Sequence, residues 1–195
     1  MVTNISKCES LIESIKPNCF SIETDSNVTT FCNEYNAAAA CLEQLSWNGK
    51  CENKWKANLF DYMGLHFEIN EITHTEFIKD EYDGRYSITM SYALSRLLFI
   101  AVANCSKELL AEVNSGLRAA LKTNKLKAVV DFVRESNPEK ILPKGKTFSN
   151  DADTDAALML IYIRALNKGD KMEPGWERTY ANEVIKYFPL QTLKS

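Results

Sequence analysis

Glycine and proline are scarce in this chain, and apolar residues recur at the spacing of an α-helix. The 195 residues include 7 glycines and 5 prolines, whereas all-β folds need many turns, which use these two residues. Between Val28 and Leu45, apolar side chains recur every three or four residues and mark one face of a helix. These features predict an all-α fold, a helical bundle of about seven to nine helices.

The predicted helices form two groups, separated by a turn at Asp83-Gly84-Arg85. The first group has helices at about residues 28–45 and 52–66, and "FEINEITHTEF" (67–77) can hold a short strand. We therefore predict two packed helical halves, residues 1–85 and 86–195. The second half comprises helices at about 87–104, 107–122, 125–135, 155–168 and 174–188.

Polar residues and glycines predict where the helices of the second half begin and end. Ser106 and Asn124 precede helical patterns and are expected to cap them, as is Asp153 or Thr154 before the next helix. Gly169 follows that helix, where a terminating glycine belongs. The segment "PEKILPKGK" (138–146) contains two prolines and is predicted to be a loop.

The chain shows no sign of export or of a membrane span. Its first residues, "MVTNISKCESLIESIK", are amphipathic and lack the pattern of a secretory signal. The longest apolar tract, "MSYALSRLLFIAVANC", is interrupted by Arg96 and is short for a membrane span, so we predict a buried core helix and no membrane partner. In the absence of an oxidising compartment, the six cysteines are expected to be free thiols.

Catalytic and metal-binding motifs are not recognisable in the sequence. His66 and His74 are eight residues apart, whereas zinc-protease helices place ligands at i and i+4. A zinc site is conceivable, but the close cysteine pairs of such sites are missing. Its candidate ligands are Cys32, Cys41, Cys51 and His66.

The segment "KGKTFS" (144–149) resembles the end of a phosphate-binding P-loop. The complete loop needs a glycine five positions before Gly145, where this chain has Lys140. We therefore expect no enzyme, no cofactor and no bound metal. A thiol or metal enzyme remains an alternative, because active sites can be assembled from scattered residues.

Charge is unevenly distributed along the chain. The total is −3, from 23 Lys and Arg against 26 Asp and Glu. Between Arg118 and Lys146, however, eight basic residues face three acidic ones, so this basic segment carries +5 and the remaining chain −8. Clustered lysines and arginines bind backbone phosphates without reading bases, because binding releases counterions. A solvated helix face with lysines near its C-terminus gives the same pattern without any ligand.

Within this segment, the stretch "LKTNKLKAVVDF" (121–132) predicts an amphipathic helix. Its apolar residues are spaced to face the core, which leaves Lys127 and Arg134 on one flank and Lys125 on the other. Lys144 and Lys146 follow in the predicted loop. Tyr162, Trp176, Tyr180 and Tyr187 can stack on bases, although their helical spacing favours packing. The candidate nucleic-acid-binding residues are Arg118, Lys122, Lys125, Lys127, Arg134, Lys144, Lys146 and Arg164.

Three segments together resemble a family, the RNA-silencing suppressors of closteroviruses and criniviruses. They are "VTTFCNEYNAAAACL" (28–42), "NKLKAVVDF" (124–132) and "FSNDADTDAALMLIYIRAL" (148–166). The resemblance implies an all-helical protein with two helical halves that assembles into a homo-oligomer, in some cases a ring with a basic inner surface. It also implies binding of small RNA duplexes without sequence preference in the cytoplasm of the host cell.

Carried over to this sequence, the resemblance nominates the basic residues of the second segment, Lys125 and Lys127, with Arg134 at its edge. Arg164 lies in the third segment, and a carboxylate partner is the alternative role for it. The leading hypothesis is therefore a viral suppressor that sequesters small duplex RNA, with host silencing proteins as further partners. The alternative is a helical adaptor that binds a host protein and makes no direct contact with RNA.

Overall fold

The computed structural model describes residues 85–194 apart from 105 and 170, together with residues 58, 61, 62, 64–66, 68 and 69. Of this described part, 72% is helical, in seven helices with one two-stranded sheet, so the chain is broadly helical as predicted. The predicted helix at 28–45, the predicted strand within 67–77 and all six cysteines lie outside the described residues, apart from residues 68 and 69, which are helical.

The second half of the chain forms six α-helices, one 3₁₀ helix and two short strands. The described residues between 58 and 69 are also helical. In chain order the elements are α1 (Arg85–Ala103), α2 (Lys107–Lys122), α3 (Leu126–Glu135), α4 (Pro138–Ile141), β1 (Lys146–Phe148), α5 (Asp151–Asn167), α6 (Trp176–Val184), the 3₁₀ helix (Ile185–Tyr187) and β2 (Leu190–Thr192).

The chain divides into two compact units after Leu110, within helix α2. The boundary of the two packed halves near residue 85 stays a prediction from the sequence. In the part of the first unit that the structure describes, α1 contributes a run of buried apolar side chains, and the Tyr62 hydroxyl donates to the Leu94 carbonyl. No described helix is long and apolar enough to cross a membrane.

Helix α2 begins as predicted and ends in a way that the sequence analysis missed. The Ser106 hydroxyl accepts a hydrogen bond from the Leu109 amide at 3.2 Å, which confirms the predicted cap. At the other end, the Lys125 amide donates to the Ala120 carbonyl at 2.8 Å, as in a Schellman motif.

Asn124 occupies the left-handed position of that motif, with φ 55°. Asparagine tolerates this conformation better than most residues. The prediction that Asn124 caps α3 is therefore wrong, because its backbone terminates α2 and α3 has no side-chain cap. Since two residues of the motif separate the end of α2 from Lys125, the basic residues of both helices flank one short connection.

The prediction of a loop at residues 138–146 is also wrong in part. Helix α3 ends at Glu135, before the proline, as predicted. Asn137 then accepts from the Glu139 amide at 2.9 Å and caps the short helix α4. Strand β1 follows and pairs antiparallel with β2, with Thr147 opposite Gln191. The P-loop resemblance fails structurally, because Lys146 and Thr147 lie in this strand and not at a helix start.

Helix α5 is the centre of the second unit, and its side chains from Ala156 to Ile161 are all buried. Its cap is Asn150, whose side chain accepts from the Asp153 amide at 2.8 Å, so the prediction of Asp153 or Thr154 is wrong by one helical turn. Asp153 is instead buried and accepts hydrogen bonds from Ser149 and Asn150. Gly169 follows the helix with φ +115°, as predicted for a terminating glycine.

Helices α2, α3 and α6 pack around α5. A Cβ atom at Gly116 of α2 would collide with the Ile163 side chain of α5, so glycine permits a close approach of these two helices. On α3, the predicted apolar face is confirmed. Its buried residues are Leu126, Val129, Val130 and Val133.

Asp155, in the second turn of α5, is half-buried and is predicted to destabilise the fold at neutral pH. Burial, together with the nearby Asp151 carboxylate, raises the pKa of Asp155 to about 6. A carboxyl group whose pKa is higher in the folded state than in the unfolded state lowers the free energy of unfolding as pH rises between these values. We therefore expect Asp155→Asn to stabilise the protein by about 1 kcal/mol at pH 7, after allowance for partial exposure.

The gain from Asp155→Asn should fall to a few tenths of a kcal/mol near pH 4, because the carboxyl group is then protonated in the folded state. Urea denaturation of both proteins at the two pH values measures this difference. A variant that is destabilised at pH 7, or whose gain does not change with pH, would contradict the expectation.

Candidate nucleic-acid interface

Four candidate residues surround the connection between α2 and α3, and we call this group the basic turn. It consists of Arg118, Lys122, Lys125 and Lys127. Arg118 and Lys122 are one helical turn apart on α2 and therefore share a face. Lys122 and Lys127 are exposed, whereas Arg118 and Lys125 are half-buried. A lysine in the last turn of a helix also interacts favourably with the helix dipole, so the position of Lys122 serves stability as well.

Helix α3 itself carries no net charge. Lys127 and Arg134 are balanced by Asp131 and Glu135, and the Lys127 Nζ lies 3.5 Å from the Asp131 Oδ2. An exposed ion pair of this kind contributes only about 0.5 kcal/mol, so it leaves Lys127 able to exchange Asp131 for a phosphate. The positive surplus of the basic segment therefore lies before and after α3, not along it.

The surplus positive charge that follows α3 in the chain lies on the two-stranded sheet. Lys144 is exposed just before β1, and Lys146 begins this strand. The Lys146 Nζ donates to the Thr192 Oγ1 of β2 at 3.1 Å, so this side chain is held on the sheet and not in a flexible loop as predicted. The Gly145 carbonyl accepts from the Leu193 amide at 2.9 Å, which brings the exposed Lys194 beside the other two lysines.

Lys144, Lys146 and Lys194 form a second group, which we call the basic ribbon. Lys194 was missed in the sequence analysis, since it lies far from the basic segment along the chain. No local pattern signals the pairing of two three-residue strands. An edge-to-face contact of Phe148 with Phe188, with ring centroids 6.1 Å apart, also joins their flanks.

Arg164 does not belong to this surface, and its place among the candidates requires correction. Its residue exposure is 7%, and its guanidinium binds Glu112 through two parallel hydrogen bonds. The Nε–Oε1 distance is 2.8 Å and the Nη2–Oε2 distance is 3.1 Å. A buried guanidinium engaged in this way is not available to a phosphate. The alternative role that the sequence offered for Arg164, pairing with a carboxylate, is therefore confirmed.

Three of the four aromatic residues considered for base stacking, Tyr162, Trp176 and Tyr180, pack with Phe132 in one cluster, whereas Tyr187 lies against Arg164 and Lys186. The Phe132 ring of α3 lies 5.0 Å from Tyr162 and 5.3 Å from Trp176, between ring centroids, and Trp176 lies 6.2 Å from Tyr180. These contacts join α3, α5 and α6, as the helical spacing favoured. All four rings are half-buried, so each also has an accessible edge.

The described residues contain no group of three or more His, Cys, Asp or Glu side chains suited to a metal ion. The three cysteines of the conceivable zinc set lie outside this part of the chain. Burial lowers the pKa of His66 to about 4, so its imidazole is neutral at pH 7.

Comparisons with family models, curated proteins and solved structures find no match for this chain.

Proposed function

We propose that this protein binds small double-stranded RNA through its backbone phosphates, without sequence specificity, and acts as a viral suppressor of RNA silencing in the host cytoplasm. The observation that carries the proposal is the position of the positive charge. Seven basic side chains lie in the basic turn and the basic ribbon, in a chain whose total charge is −3. Clusters of this kind supply the electrostatic part of nucleic-acid binding.

Duplex RNA suits such a surface. Its major groove is deep and narrow, so proteins recognise it by shape and by contacts to phosphates and 2′-hydroxyl groups. Lysine-rich surfaces without a base-reading element match this mode, and the mode requires no catalytic residue or cofactor. Sequestration by binding alone would withhold small RNA from the silencing machinery of the host.

Assembly into a homo-oligomer, in the simplest case a ring, is part of the proposal. One protomer offers two small basic groups, which bind a duplex weakly. Several protomers would align their groups along one duplex and raise the affinity through effective concentration. The finer architecture, an all-helical bundle of about seven to nine helices in two packed halves, is proposed with it.

The alternative, a helical adaptor for host proteins, has less support. Such an adaptor would use an acidic face or an apolar groove, and a groove requires exposed apolar side chains. In the described part of the chain, Leu193 is the one large apolar side chain that is well exposed, at 43%. This residue lies beside the basic ribbon, where it would contact the same partner as the lysines.

Electrophoretic mobility shifts with two duplexes of unrelated sequence and equal length test the proposed function. We expect both duplexes to bind at low salt with dissociation constants within about threefold of each other, because phosphate contacts carry no sequence information. Absence of any shift at low salt would overturn the proposal and favour the adaptor. A preference of about a hundredfold for one sequence would contradict phosphate recognition, since that preference requires contacts to base edges.

A further inference from the structure

A cavity of about 440 Å³ lies between the C-terminal end of α3, helix α4 and the first turn of α6. Its volume is in the range of small-molecule sites. None of the eight candidate residues from the sequence lines it. Its walls combine one aromatic ring, two acidic side chains and two basic side chains, namely Phe132, Glu135, Glu177, Lys140 and Arg178.

Two of the charged groups that line this cavity are cations. Lys140 and Arg178 are both exposed, and they approach from different helices, α4 and α6. Within the described part of the chain, neither takes part in an ion pair with a described carboxylate. The first turn of α6 also lines the cavity, and the positive end of a helix dipole favours an anion there. An anionic group is therefore favoured at this side.

The other walls suit a sugar and a base. Carboxylates accept hydrogen bonds from ribose hydroxyl groups, and Glu135 and Glu177 supply them. The half-buried ring of Phe132 offers an aromatic surface on which a base can stack. An anion, a diol and a flat ring occur together in a nucleotide.

We propose that this cavity binds the 5′-terminal nucleotide of an RNA strand, with its 5′-phosphate between Lys140 and Arg178. The inference rests on the proposed function and assigns to the same protein a site that recognises RNA ends. Glu135, in the last turn of α3, lines the cavity, so the site shares this helix with Lys127 of the basic turn.

Because the cavity has only two cations and two carboxylates, it suits a phosphate of low charge better than a highly charged one. Two cations match the charge of −1.5 to −2 that a phosphate monoester carries at about neutral pH. A 5′-triphosphate would bring additional negative charge close to Glu135 and Glu177, and like charges in such a site repel. The site therefore suits processed small RNA, whose 5′ ends carry a single phosphate, better than unprocessed transcripts.

Binding of two duplexes that differ only in their 5′ ends, phosphate or hydroxyl, tests this inference. We expect the wild-type protein to bind the 5′-phosphorylated duplex about tenfold more tightly, because charge-assisted hydrogen bonds to the phosphate are added. The variant Lys140→Gln/Arg178→Gln should bind both duplexes equally. A matched control, Lys171→Gln/Lys186→Gln, removes the same charge from exposed residues outside the cavity and should keep the tenfold ratio.

The affinities for the 5′-phosphorylated and the 5′-hydroxyl duplex distinguish a failure of the proposed function from a failure of end recognition. If neither duplex binds, the proposed function fails, and the end recognition fails with it. If both bind equally well to the wild-type protein, or if the cavity variant keeps the ratio, only the end recognition is overturned. Calorimetry with adenosine monophosphate tests whether the ligand of the cavity is a free nucleotide and not the 5′ end of an RNA strand. Tighter binding of the monophosphate than of the phosphorylated duplex would overturn end recognition and assign the cavity to a free nucleotide.

Discussion

Glu112→Ala is expected to destabilise the protein by about 3 kcal/mol, because it leaves the Arg164 guanidinium buried without its main partner. Arg164 joins three helices of the second unit. It binds Glu112 of α2 through two hydrogen bonds of 2.8 and 3.1 Å and lies 3.7 Å from a carboxylate oxygen of Glu183 on α6. Its guanidinium carbon is also 5.7 Å from the Tyr187 ring centroid.

Glu183→Ala is the matched control, since it removes a carboxylate from the same guanidinium. The Glu183 side chain is 47% exposed, and an exposed pair at this distance contributes at most about 1 kcal/mol. The double variant Glu112→Leu/Arg164→Met should recover much of the loss, because buried ion pairs can be replaced by apolar groups of similar volume. Urea denaturation measures all three free energies of unfolding. Equal losses for Glu112→Ala and Glu183→Ala would show that Arg164 does not depend on Glu112.

Lys122→Gln/Lys125→Gln/Lys144→Gln is expected to weaken binding to duplex RNA by about a hundredfold at low salt, and by a similar factor for unrelated sequences. The first two residues belong to the basic turn and the third to the basic ribbon, so the variant removes charge from both groups. Glutamine keeps the length and the polar end of these side chains. The fold should be unaffected, because none of the three side chains is buried.

The matched control for this variant removes three lysines from elsewhere in the second unit, Lys168, Lys171 and Lys186. All three are exposed and belong to neither basic group. Because affinity depends on the lysines that contact phosphates and release counterions, we expect the control to bind RNA within about threefold of the wild-type protein. Equal losses for both variants would mean that net charge, and not the two basic groups, determines the affinity. Fluorescence anisotropy with labelled duplexes gives both affinities, and thermal melts verify folding.

Features determined by neighbouring residues were predicted well from the sequence. The bounds of α2, the Ser106 cap, the apolar face of α3 and the role of Gly169 all follow from side chains within a few residues. Asn124 shows the limit of this reasoning. Asparagine is favoured both as an N-cap and in a left-handed terminating position, and only the hydrogen bonds of the folded chain distinguish the two roles.

Features that depend on distant residues were not predictable. The strands of the basic ribbon are three residues each, and the whole of α5, α6 and the 3₁₀ helix lies between them in the chain, so no local pattern indicates their pairing. Arg164 had an indirect signal, because an arginine within a helix that is apolar on all sides must be buried and paired. The sequence identified the basic segment, but only the structure shows that α3 is neutral and that the surplus charge lies at its two sides.

The salt dependence of duplex RNA binding tests the central claim most directly. If the basic turn and the basic ribbon contact phosphates, a plot of the logarithm of the association constant against the logarithm of the salt concentration should be linear, with a slope of about −4 for four or five contacts. Removing three lysines in Lys122→Gln/Lys125→Gln/Lys144→Gln should bring this slope about two to three units closer to zero. A wild-type slope near zero would contradict phosphate binding by this protein.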